Sequence, residues 1–232
     1  MVETLDAEKL STTEINRILR ELASSSATVR IVNPKGAHSL VTNVRGSLRV
    51  EVEGSTGFYT GGYMDGPTVI VKGNAGWYTG DNLINGTIVV ERNCGSNAAP
   101  SMLGGVVLVR GSGGSRVGYA QKGGTLVVCG SAGMMVGKMM LGGRVVVLGN
   151  VGTQAGESMY GGRILIGGKI ASLGSNVDVG EPDDSDVEVL APLFEQWGVD
   201  FDVRSLTAIL PRPGKHKYVL FSPRHKRVEA NP

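Results

Sequence analysis

Three stretches of the chain, Gly111-Ser112-Gly113-Gly114-Ser115-Arg116-Val117-Gly118, Gly130-Ser131-Ala132-Gly133-Met134-Met135-Val136-Gly137 and Gly149-Asn150-Val151-Gly152-Thr153-Gln154-Ala155-Gly156, begin 19 residues apart and share one pattern, G-x-x-G-x-x-x-G. Extended upstream at the same spacing, the pattern takes in Gly54, Gly57 and Gly61, then Gly73, Gly76 and Gly80. A fourth column of glycines runs through Gly86, Gly105, Gly124, Gly143 and Gly162. Arg92 and Ala99 break the pattern in one repeat, which points to an altered, partner-facing corner there. A constant period with no insertion means that every repeat covers the same length of path, and a solenoid with one repeat per coil is the simplest object that does so. Nineteen residues are too few for a strand and a crossover helix. They suit short strands joined by sharp corners, where glycine supplies either φ > 0 or room for close backbone approach.

The runs between the glycines support this. Val69, Ile88, Val107, Leu126, Val145 and Ile164 share one repeat position; Met64, Leu83, Met102, Gln121, Met140 and Met159 share another. Such like-on-like columns fill a narrow interior, and Gln121 is expected to be hydrogen-bonded or near a corner. The predicted fold is therefore an all-β core, a right-handed parallel β-helix of about seven 19-residue coils, with short flanking helices at both ends. Residues 1–45 read as an N-terminal helix and lead-in, 46–180 as the β-helix, and 181–232 as a C-terminal helix and extension. Ser11 and Glu14 form a capping box ahead of Ile15, Ile18, Leu19 and Leu22. Val187–Trp197 reads as the second helix, and Tyr218–Phe221 as one more strand.

One column is anomalous. Ile70, Val89, Leu108, Val127, Val146 and Leu165 have the opposite parity to the core residues, so the outer face of the sheet is also apolar. Such a face must be covered, either by the chain's own C-terminal segment or by another subunit, and these six residues are candidate interface positions. Phe58 with Trp77, and Tyr59 with Tyr78, share coil positions; they should stack, and rings that face outward would form an interface hot spot.

Composition narrows the function classes. The 232 residues include 36 Gly but only 5% aromatics, and the formal net charge is +2. Glycine without a three-residue period excludes collagen. The spread of Lys and Arg leaves no footprint for nucleic acid, apart from a short basic run at Arg224–Arg227 that reads as solvated tail. No stretch is long and apolar enough to span a bilayer, and no signal-peptide pattern opens the chain, so a cytoplasmic protein is the expectation. Cys94 and Cys129 form no disulfide or metal pattern and read as buried, inert thiols. His38, His216 and His225 lack ligand spacing. Asp81 and Glu157 occupy one coil position four coils apart, too far for paired acid–base work. The segment 111–118 invites a phosphate-loop reading, but it lacks the Lys-Ser/Thr ending, and its glycines recur in every coil. A polysaccharide-cleaving β-helix would carry acidic clusters on the sheet that is apolar here. No catalytic, cofactor-binding or metal-binding residue is expected.

The glycine pattern, together with Val32-Asn33-Pro34-Lys35-Gly36-Ala37-His38 and Thr68-Val69-Ile70-Val71-Lys72-Gly73-Asn74-Ala75-Gly76, resembles the GXGXG β-helix family. The resemblance covers residues 28–180 well, and Lys215–Phe221 weakly. It extends to the C-terminal domain of the glutamate synthase large subunit and to the β-helix component of formylmethanofuran dehydrogenase. It looks closest to free-standing subunits such as the middle subunit of N-methylglutamate synthase. The resemblance implies a non-catalytic scaffold in a hetero-oligomer. It would hold an amidotransferase-like subunit and a glutamate synthase-like subunit that binds FMN, with or without an iron–sulfur cluster. A scaffold in a formyltransferase or formylmethanofuran dehydrogenase-type complex is the alternative.

Overall fold

In the computed structural model, which describes residues 2–213, the chain winds as a parallel solenoid. Nine strands stack in sequence order: β1 (Val2–Asp6), β2 (Thr28–Val32), β3 (Arg49–Val52), β4 (Asp65–Val71), β5 (Asn85–Val90), β6 (Val106–Val109), β7 (Thr125–Val128), β8 (Arg144–Val147) and β9 (Arg163–Ile166). From β3 to β9 residues pair with those 19 positions later, as Val69 with Ile88 and Val107 with Leu126; the exception is Asp65, which pairs with Asn85 across a register shift. Sheet register and sequence period are thus the same quantity. The predicted Met and β-branched columns are fully buried. Gln121 is among them, and its Nε2 donates to the carbonyls of Gly123, Gly124 and Arg144 at 3.0–3.1 Å.

Both helices form. Helix α1 (Thr12–Leu22) is capped by Ser11 and Glu14 and seats Ile15 and Leu19 in the core. Helix α2 (Asp184–Trp197) starts three residues before the predicted position, because Asp183 and Asp186 build a capping box with a second aspartate instead of Glu or Gln. It ends at Gly198, in the left-handed region (φ 60°). Two further strands close the solenoid. Strands β10 (Val177–Gly180) and β11 (Thr207–Pro211) are antiparallel to each other, and β11 is antiparallel to β9. Neither they nor β1 carries the glycine comb, so the repeat gave no sign of them. The strand expected at Tyr218–Phe221, the basic run, His216 and His225 lie outside the described residues.

The glycine columns divide by cause. Gly76 and Gly114 have ordinary φ, but a Cβ at Gly76 would meet the Gly57 carbonyl carbon at 2.5 Å, and one at Gly114 would meet the Ser96 amide nitrogen at 2.5 Å. These glycines let coils approach. Gly61, Gly80, Gly118, Gly137 and Gly156 instead have φ between 64° and 74°. Positions two residues to either side, such as Tyr59, Tyr63, Met135 and Met139, are also left-handed, at 55–61°. They point outward, where a side chain has room; the central position points inward, where a Cβ would run into Ile88, Val145 or Ile164.

That geometry corrects the reading of Ala99. It is fully buried and left-handed (φ 53°), so this break in the comb faces the interior, whereas Arg92, the other break, is exposed. Its compensation lies 27 residues on. The equivalent partners of Gly61, Gly80, Gly118 and Gly137 are β-branched Ile88, Val107, Val145 and Ile164, whereas Ala99 faces the position of Leu126, which has no branch at Cβ. Leu126→Ile is accordingly expected to cost about 1–3 kcal/mol by overpacking. Adding Ala99→Gly should recover most of it in a double-mutant cycle read by urea unfolding.

Candidate functional site

The outer face of the main sheet changes character along its length. In the first coils it carries Arg30, Arg49, Glu51, Glu53 and Lys72, with Lys72 Nζ 2.8 Å from Glu53 and Arg49 3.0 Å from Glu51. These pairs hold the Glu51 carboxyl below its usual range, chiefly through its hydrogen bond from Arg49. From Val89 onward the face is apolar: Val89, Leu108, Val127, Val146 and Leu165 are buried against Leu190 and Phe194 of α2, with Val203, Leu206 and Ala208. The chain's own C-terminal segment is the cover. The interface reading of these five residues is therefore corrected, because α2 occupies the surface a partner would need. Ile70, at the boundary, is half-buried.

Arginines anchor the cover at both ends. Asp186, fully buried, receives Arg144 Nε at 2.9 Å and faces Arg163 Nε at 2.7 Å. The Arg163 contact is ionic: its N–H is not aligned on the oxygen. Arg163 also reaches Asp183 at 2.8 Å. At the other end Arg110 donates to the Trp197 carbonyl at 2.9 Å, satisfying one of the last acceptors of the helix.

The segment 111–118 has no amide to offer a phosphate from its glycines. Gly111, Gly113, Gly114 and Gly118 donate to carbonyls of neighbouring coils, and Ser112 and Ser115 donate to Asn93 Oδ1 and Ser96 Oγ. The Ser112 bond belongs to a ladder: Ser55, Asn74, Asn93, Ser112, Ser131 and Asn150 each accept the amide of the residue 19 positions later. The spacing of those Ser and Asn residues was visible in the sequence and is the signal that would have found it. Among the described residues no group of three or more His, Cys, Asp or Glu could hold a metal ion. Asp81 and Glu157 differ in kind: burial pushes the Asp81 carboxyl up, whereas a backbone hydrogen bond from Ser175 holds Glu157 down.

Burial pushes the Cys94 thiol up to about 11, and pushes half-buried Cys129 up as well. A raised thiol pKa lets the folded chain keep a proton that the unfolded chain has lost. Stability is therefore complete below pH 9 and falls by roughly 3 kcal/mol between pH 9 and about 11. Cys94→Ala should flatten that limb in urea melts taken across the same pH range, and native Cys94 should resist thiol reagents at pH 8.

Four exposed aromatic residues, Phe58, Tyr59, Tyr63 and Trp77, lie in two neighbouring coils. Phe58 stacks on Trp77 with centroids 5.7 Å apart, Tyr59 on Tyr78 at 4.9 Å, and His38 on Phe58 at 4.7 Å. Trp77 is 51% exposed, Tyr63 50%, Phe58 42% and Tyr59 41%. His38 Nδ1 accepts the Phe58 amide at 2.8 Å, which fixes the first ring of the stack.

Comparison with known proteins agrees with this architecture. The family described as GXGXG motif matches residues 6–181. Protein GlxC of Rhizobium meliloti (strain 1021) is 37% identical over 60 residues, which are 25% of this chain and 26% of that protein. The chain thus matches about a quarter of the length of that curated relative. Among solved structures, a chain of the formyltransferase/hydrolase complex (FhcABCD) from Methylorubrum extorquens in complex with methylofuran is similar over 85% of both chains, with a TM-score of 0.68 and 23% identity. That likeness is one of fold.

Proposed function

We infer function from one premise: this chain belongs to the GXGXG motif family. It acts as a non-catalytic scaffold subunit of a multisubunit glutamate synthase-like enzyme, which we propose to be N-methylglutamate synthase. In this reading it holds an amidotransferase-like subunit and an FMN-binding synthase subunit in register, in the cytoplasm. The cofactor sits on the partner, not on this chain.

The observation that carries the reading is how the polar groups are used. Glycine amides, Ser and Asn side chains and Arg110, Arg144 and Arg163 are spent on stacking coils and seating α2, while Phe58, Tyr59, Tyr63 and Trp77 stand exposed. A rigid rod with an exposed aromatic edge is suited to binding other chains. The likeness to a chain of a formyltransferase/hydrolase complex favours one second reading, a scaffold in a formyl-transfer complex.

Affinity purification of the native protein from its own cells separates the readings. Co-elution of an amidotransferase-like chain and a yellow, flavin-bearing chain supports the first. A colourless complex with a formyl-handling hydrolase supports the second. A lone, colourless protein sinks both.

A further inference from the structure

The aromatic edge continues into a basic cleft. Asn43 donates its amide to Gly62, next to Tyr63, and with Arg20 and Arg45 it lines a shallow cleft of about 350 Å³. Arg45 is in register with Asp65, yet no ion pair joins them, and neither Arg20 nor Arg45 has a carboxylate partner among the described residues. Two like charges on one cleft, with the nearest in-register carboxylate unused, leave a place for an acidic group from outside.

The rings restrict what can bind beside that cleft. Phe58 is sandwiched between His38 and Trp77, which covers both of its faces, and Trp77 Cδ1 lies beside Gly95. Phe58 therefore keeps only its edge outward, while Trp77 and Tyr63 stay half-exposed. A sugar or a nucleobase binds by stacking on an open face, and Phe58 at the centre of the stack offers none. Rings already locked in a stack lose little entropy on association, and Trp, Tyr and Arg are the residues that dominate protein–protein hot spots.

We propose that Phe58, Tyr59, Tyr63 and Trp77, with the Arg20–Arg45 cleft at their rim, form the docking surface for a partner protein chain that sets apolar side chains against the rings and a carboxylate between the guanidiniums. This rests on the scaffold reading and adds to it the face used and the chemistry of the partner.

The test uses the native complex. A photo-crosslinking amino acid replaces Trp77, Tyr63 or, as a control on the same edge three coils away, Met134. Arg20→Glu/Arg45→Glu is made separately, with thermal melting as its folding control. The expected result is crosslinking from positions 63 and 77, and not from 134, to one partner chain at a peptide bearing Asp or Glu. The double charge reversal should weaken association at least tenfold. An intact complex without crosslinks at 63 and 77, equal crosslinking from all three positions, or crosslinks to a second copy of this chain would overturn the docking surface and leave the scaffold reading standing. Failure of the unaltered chain to enter any complex would overturn both.

Discussion

Replacing Asp186 with Ala is expected to cost about 3–5 kcal/mol and to unseat helix α2. The carboxylate is fully buried and touches the guanidiniums of Arg144 and Arg163, which are themselves only 20% exposed. Removing it leaves two desolvated cations with Asp183 as the nearest remaining anion, and that contact reaches Arg163 only. It also removes the Asp186 carboxylate that accepts the Asp183 amide in the capping box. The consequence is local before it is global. With α2 loosened, Val89, Leu108, Val127, Val146 and Leu165 become a contiguous apolar face. Urea unfolding should show the lost stability, hydrophobic-dye binding should rise before the main transition, and limited proteolysis should cut near residues 181–206. Asp186→Asn, which keeps an acceptor, should lose less. A cost of ~1 kcal/mol or below, as for an exposed pair, would mean that α2 is held by packing alone.

The second large effect concerns the glycine columns, which look alike in sequence and are not alike in space. Gly76→Ala is expected to cost about 3 kcal/mol, because the added Cβ meets backbone of the preceding coil, which cannot rotate away. The contact would be 2.5 Å to the Gly57 carbonyl carbon and 2.8 Å to Phe58 Cδ1, so the aromatic stack would shift as well. Ala99→Gly goes the other way. It relieves a left-handed alanine and loses one methyl group, for a net change expected within ~1 kcal/mol. Gly36→Ala is the comparison for φ alone, since no atom lies within 4 Å of its Cβ position. Thermal melts of the three variants rank the columns directly.

The solenoid was legible because its period is enforced by register: 19 residues in sequence become one step in the sheet. The interior columns followed from the same arithmetic. Other features were not legible, for physical reasons. Tyr59, Tyr63, Met135 and Met139 adopt left-handed backbone without being glycine, since an outward side chain meets no wall, and sequence gives no warning of that. The antiparallel closure by β10 and β11 lies beyond the repeat and has no partner pattern of its own. What covers the apolar face was open in the sequence. The switch of that column from Arg30 and Glu51 to Val89 and Leu108 marks where the cover begins, but whether the cover comes from the same chain depends on a helix crossing several coils, held by arginines far from it in sequence. Of the candidate interface, the structure leaves the aromatic edge open and closes most of the sheet column.

The most direct test of the scaffold account is to assay the complex with this chain deleted and then restored. The account predicts that each remaining chain keeps its own half-reaction, that the coupled reaction is lost, and that adding this chain back restores coupling without contributing an activity of its own. A half-reaction that disappears with this chain and is carried by it in isolation would contradict the account.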